Sequence, residues 1–169
     1  MHASDGSSST SSAATTTCAA NGRHTVRRVL LATDLTGASE VATDLAFALA
    51  ERIGADLLAV SVIDPHELRH ESQRSGLRWD QVRDGRQEAA QELVVRGGRA
   101  GMEVSFLVWT GDPGESIVAA ADAEAADLIV VGTHGRGTIG RLILGSVSEY
   151  VVRNASCPVL VARPERRIV

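Results

Sequence analysis

The chain has 169 residues, 44% of them hydrophobic and 22% charged, which suits one globular domain with a core of its own. Its formal net charge of −4 argues against general nucleic-acid binding, which needs a basic face. Aromatic residues make up 3%, so the core has to be aliphatic, and no apolar run approaches the roughly 18 residues of a membrane span.

Residues Met1 to His24 are rich in Ser, Thr and Ala and carry no hydrophobic periodicity. Such a tract cannot bury enough surface to offset its ordering entropy, so a disordered tail over 1–24 is expected, with the folded domain over 25–169. Cys18 lies in this tract and Cys157 just before a predicted strand, a pattern that offers no disulfide framework and fits a reducing, cytoplasmic setting. No apolar segment precedes Cys18, so neither a secretory signal nor a lipid-attachment segment is expected.

The domain opens with an apolar strand, Val29 to Thr33, ending at Asp34. Gly37 and Ser39 lead into a helix in which Val41, Leu45, Leu49 and Ile53 recur about once per turn, closed by Gly54. That spacing predicts an inward stripe of those four residues. A second strand, Leu57 to Ile63, ends at Asp64-Pro65, where proline prevents continuation. Residues His66 to Arg78 read as polar and irregular. A helix follows over Trp79 to Arg99, with Val82, Ala89, Leu93 and Val94 expected inward and the glycines at 97, 98 and 101 expected to end it. The third strand, Val104 to Trp109, leads to Asp112-Pro113-Gly114-Glu115, three agreeing helix-start signals (N-cap, N1 and N3). That helix reaches about Ala125, with Ile117, Val118 and Ala121 inward.

The fourth strand, Leu128-Ile129-Val130-Val131, runs into Gly132-Thr133-His134-Gly135, then nine residues, then Gly145-Ser146. Glycines at a strand end let the backbone approach a ligand closely. Ser146 with Glu149 three residues later has the form of a capping box, so a helix is expected from Ser146 to Arg153. A glycine loop leading to a helix N-terminus converges unpaired N–H groups and a positive dipole end, which suits phosphate. Neither rival phosphate motif competes. GxxxxGK[ST] is absent, and the GxGxxG at Gly135 to Gly140 has room after it for only one helix and one strand, too little for a dinucleotide fold. Pro158 to Ala162 forms the fifth strand.

Strands alternating with helices at this spacing predict a single five-stranded parallel open sheet, α/β in class, with helices on both faces. In such sheets ligands bind beyond the carboxyl ends of the strands, which is where Asp34, Asp64 and the Gly132 loop would meet.

These residues resemble the universal stress protein family. The pattern Gly-x-x-Gly, nine residues, Gly-Ser is that family's ATP-binding signature, intact at Gly132, Gly135, Gly145 and Ser146. The resemblance spans about Arg27 to Arg163 and includes Asp34, Val62-Ile63-Asp64, Gly111-Asp112-Pro113 and Cys157 to Val161. It implies the strand order 3-2-1-4-5 and an ATP site. Asp34 and the Ala32-Thr33 backbone would face the adenosine, and Val62 would meet adenine through its main chain. Gly132, Thr133, His134, Gly135, Gly145, Ser146, Val147 and Ser148 would hold ribose and phosphates. Arg136, Thr138 and Arg141, inside the variable spacer, inherit no role.

The leading expectation is therefore a nucleotide-dependent sensor or regulator rather than an enzyme, since His134 is the one candidate base in the loop. A slow ATPase, or another nucleotide-dependent α/β enzyme, is the alternative, and an interaction module without nucleotide is a third. Mg²⁺ is expected with the triphosphate, because no P-loop lysine offsets its charge. A homodimer through the fifth strand is expected from the apolar run Val159 to Ala162, which the implied order places at a sheet edge.

Overall fold

A computed structural model describes residues 25–76, 78–133 and 144–163. The tail over 1–24, the loop residues His134 and Gly135 with most of the spacer, and the basic end at 164–169 lie outside the described residues.

Five strands form one parallel sheet: β1 (Arg28–Ala32), β2 (Asp56–Ile63), β3 (Val104–Thr110), β4 (Leu128–Gly132) and β5 (Val159–Ala162). Their order is β3-β2-β1-β4-β5, as the family resemblance implies. The chain starts at β1, steps outward to β2 and β3, then returns to the other side of β1 for β4 and β5. The switch point thus falls between β1 and β4, where Leu31 is in register with Val130 and Ala32 with Val131.

Alternate residues of each strand bury into opposite faces. Val29, Leu31, Leu57, Ala59 and Val130 face helices α1 (Glu40–Ile53) and α3 (Trp79–Arg99). Leu30, Leu58, Val60, Ile129 and Val131 face α4 (Pro113–Ala123) and α5 (Ser146–Asn154). A sheet covered on both sides needs strands that are apolar throughout, which is why these read as continuous runs rather than alternating ones.

Several local expectations change. The stretch read as irregular contains a helix, α2 (Pro65–Ser75). Asp64 is its N-cap, accepting from the His66 amide at 2.7 Å. Pro65 therefore starts a helix as well as ending a strand, since its missing N–H is an orphan at N1 anyway. The α1 stripe is also largely reversed, with Leu49 alone of its four residues half-buried. Val41, Leu45 and Ile53 are 40%, 38% and 44% exposed, while Ala42, Thr43, Ala46, Phe47 and Ala50 face the sheet. Alanines let the helix axis approach the strands, and Phe47 fills the space beside them. On the outer side Arg96 of α3 stacks over Phe47 at 4.2 Å and pairs with Asp44 at 2.7 Å, tying α3 to α1.

In α3, Ala90 and Gly97 are the buried residues, Val82, Ala89 and Leu93 are half-buried, and Val94 is exposed. Gly97 and Gly98 lie inside that helix rather than ending it. Gly54 does close α1 in the left-handed conformation, φ 67°. Asp112 caps α4 through the Glu115 amide at 3.0 Å, with Pro113 at N1.

Candidate functional site

The carboxyl ends of β1, β2 and β4 open on a cavity of about 470 Å³. β1 delivers Ala32 and Thr33, followed by Asp34. β2 delivers Val60 and Val62, β4 delivers Val131, Gly132 and Thr133, and the start of α5 adds Ser146, Val147 and Ser148 behind Gly145. The described residues expected to hold the nucleotide line this cavity, whereas Asp64, also expected at this rim, lines an adjoining cavity and caps α2; His134 and Gly135 lie outside the described residues.

The first wall is a tight turn after β1. Thr33 is buried and its hydroxyl meets Ser39 Oγ at 2.8 Å while accepting from the Leu35 amide at 3.0 Å. Asp34 Oδ1 accepts from the Thr36 amide at 3.0 Å and its hydroxyl at 2.8 Å, which fixes the carboxylate. Leu35 sits at φ 59°, a left-handed conformation that costs a side chain of this kind energy and is held by those bonds.

The opposite wall joins β4 to α5. The Gly145 amide donates to Thr133 O at 2.9 Å, closing the loop onto the strand end. Gly145, not Ser146, is the N-cap, so the expected capping box does not form and Ser146 occupies the first helical position. Ser148, almost fully buried, donates its hydroxyl to Gly145 O at 2.9 Å, and the Glu149 amide bonds to the same carbonyl at 2.8 Å. The amides of Ser146, Val147 and Ser148 precede the first intrahelical bond, and these three residues line the cavity, the placement an anion at a helix N-terminus requires. The glycine at 145 has a further reason. A Cβ there would lie 3.0 Å from Thr133 O, so its small size serves the protein's own backbone closure.

Ser39, Glu67, Arg86, Pro113 and Ile117 also line the cavity. Glu67 belongs to the helix the sequence pattern missed. Arg86 is one arginine among several on a polar helix, and no local pattern marks it. It donates to Val62 O at 2.7 Å and to the hydroxyl of Ser61, which is fully buried. Cys157 lies away from the cavity; burial, aided by the Asp122 charge, pushes its thiol pKa up, as suits a packing residue. Among the described residues, no group of three or more His, Cys, Asp or Glu side chains could hold a metal ion. No helix among them is long and apolar enough to cross a membrane.

An open parallel sheet with a cleft at its switch point defines a doubly wound α/β protein. The universal stress protein family model matches residues 25–163, and the chain belongs to that family. A universal stress protein of Methanocaldococcus jannaschii is 30% identical over 154 residues, covering 87% of this chain and 88% of that one. One from Mycolicibacterium smegmatis is 38% identical over 139 residues, 80% of this chain; the match spans only 45% of that longer protein. Among solved structures, a universal stress protein in complex with cAMP superposes with a TM-score of 0.62 at 27% identity, covering 82% of this chain and 97% of that one.

Proposed function

We propose that this protein is an ATP-binding regulator in a stress response, a nucleotide-dependent sensor and not a catalyst. The observation that carries this reading is the cleft wall at Gly132, Thr133 and Gly145 to Ser148, where the end of β4 and the first turn of α5, joined by the Gly145–Thr133 bond, line one volume. Phosphates would sit there, ribose against Asp34, and the base toward Val62. His134 and Gly135 would complete the phosphate side. The nucleotide carried by the cAMP-bound relative supports an adenine ligand. Asp34 and Glu67, the carboxylates among the described lining residues, also line an adjoining cavity with Arg86, and neither is offered as a base for an attacking water. A cytoplasmic location goes with this role.

Mg²⁺ fits this site as a companion of the nucleotide. With no carboxylate cluster among the described residues to hold it, the ion would take its oxygens from the triphosphate, from water and from hydroxyls such as Ser146. Calorimetry with ATP tests both parts. ATP is expected to bind at one site per chain, and EDTA to weaken it by about tenfold, a loss of about 1.4 kcal/mol. An unchanged affinity after chelation removes the ion; no heat in either condition removes the nucleotide.

A homodimer through β5 belongs to the same reading. Among the described residues β5 bonds only to β4, and Val159, Leu160 and Val161 remain half-buried along it. Pairing this edge across a two-fold axis would satisfy its outer N–H and C=O groups and cover those side chains. Light scattering at tens of micromolar should then give twice the chain mass of 17.8 kDa. Leu160→Lys should give a folded monomer, with circular dichroism as the check on folding. A monomeric wild type ends the idea.

A further inference from the structure

Helix α2 is held to the domain by little burial. It has 11 residues, none of its described side chains is buried, and Leu68, its one aliphatic side chain apart from Pro65, is half-buried. Leu68 borders the adjoining cavity, about 260 Å³, which Ile63, Val82 and Ala89 also line, so a void lies where a packed helix would make contacts. What fixes the helix is local. Asp64 caps the His66 amide at one end, and at the other the Gly76 amide bonds to Ser72 O at 2.9 Å, with Gly76 at φ 69°. A polar helix this short is marginal without tertiary contacts, and such elements open readily.

Among the described residues of α2, Glu67 alone lines the nucleotide cleft. It lines both cavities, as Asp34 does, whereas Gly145 to Ser148 line the first and not the second. A carboxylate only accepts hydrogen bonds and repels phosphate, so the part of a nucleotide that suits Glu67 is the ribose with its donor hydroxyls. We propose that Glu67 accepts from the ribose and so makes α2 the element that registers occupancy of the cleft: seated while a nucleotide is bound, and open more often when the cleft is empty. This rests on the reading that a nucleotide enters with its ribose against Asp34.

The coupling runs both ways, because a contact that seats α2 when the ribose is present must also tighten the nucleotide when α2 is seated. One hydrogen bond to a charged group is worth about tenfold in either equilibrium. Most of α2 is exposed, so a change in its seating alters a surface that another protein can meet. Phosphates at the start of α5 leave α2 untouched, and the ribose is what joins the two.

Hydrogen exchange of the α2 amides tests this with ATP and with dideoxy-ATP, which keeps base and triphosphate and lacks both ribose hydroxyls. At saturation ATP should slow exchange across α2 by about tenfold and dideoxy-ATP should not, while both protect the start of α5. Glu67→Ala should abolish the slowing and weaken ATP by about tenfold in calorimetry, yet leave the affinity for dideoxy-ATP unchanged. Glu67→Gln, whose amide oxygen still accepts, should recover part of both losses. A purely structural role for Glu67 would change α2 exchange without distinguishing the two ligands. Equal slowing by ATP and dideoxy-ATP, or none in α2 while the start of α5 is protected, overturns the inference and leaves the nucleotide site in place. A folded Glu67→Ala protein that keeps the slowing overturns it as well. No heat and no protection with either ligand overturns the site and the inference together. Should Glu67→Ala fail to fold by circular dichroism, the comparison of the two ligands on the wild type decides alone.

Discussion

Gly145→Val is expected to raise the dissociation constant for ATP by about a hundredfold or more in a protein that still folds. Gly145 has φ −64° and ψ 154°, angles that valine adopts without strain, so the effect has to come from contacts. A Cβ would already lie 3.0 Å from Thr133 O and 3.7 Å from Ser148 Oγ, and a branched side chain adds two methyl groups at that crowded point. Relief requires the end of β4 and the start of α5 to part, which breaks the 2.9 Å bond between the Gly145 amide and Thr133 O. The amides at 146–148 then no longer converge on one volume. Losing alignment of two charge-assisted hydrogen bonds, each about 1.5–3 kcal/mol, accounts for a hundredfold or more. The sheet core lies below this junction and should keep the melting transition cooperative. Gly145→Ala, whose methyl needs only a small adjustment, should fall between the two. Wild-type affinity in a folded Gly145→Val protein would place the phosphates elsewhere.

Gly97→Ala should destabilise the domain by about 2 kcal/mol, although alanine is the better helix former by roughly 1 kcal/mol. Two effects oppose each other here, and geometry decides between them. Gly97 lies in the last turns of α3, where the helix crosses its own following strand. A Cβ would sit 2.1 Å from Val104 Cγ2 and 3.0 Å from Val104 Cβ, with Met102 O at 3.2 Å. Valine is stiff at χ1, so it cannot swing aside, and α3 would have to lift off β3. Chemical denaturation measures the change. A more stable Gly97→Ala protein would show that the crossing is looser than its geometry indicates. Val104→Ala in the same chain removes the obstructing methyl and should recover part of the loss, a coupling that a double-mutant cycle reads directly.

The two glycines differ in how visible they were. Gly145 belongs to a spaced motif, and the motif marks it; the structure adds a backbone contact with Thr133 as a further reason for its small size. Gly97 stands beside Gly98 and close to Gly101, and such clusters ordinarily end helices. A Cβ at Gly98 would meet nothing within 4 Å, so the neighbours look alike in sequence and differ entirely in packing. The missed helix α2 has a similar origin. Its residues are polar, with no apolar stripe to betray it, and its start signal, Asp64-Pro65, doubles as a strand stop.

What the amino-acid order determined by itself is local in physical origin. Apolar runs of strand length mark the five strands, because a sheet covered on both faces demands them. Asp112, Pro113 and Glu115 mark a helix start because orphan amides need a cap within three residues. The Gly132 to Ser146 spacing identifies the family because a loop that closes on its own strand tolerates few alternatives. Tertiary structure decided which side of α1 faces the sheet. Both a Val/Leu/Ile stripe and an Ala/Phe face recur at helical spacing, and only contact with the strands selects the closer-packing one. It alone also decided the place of Arg86. That side chain finds Val62 O from 24 positions further along the sequence, because α3 crosses the rim where β2 outruns β1. No periodicity along the chain encodes that meeting, since its cause is where a helix crosses the end of a strand.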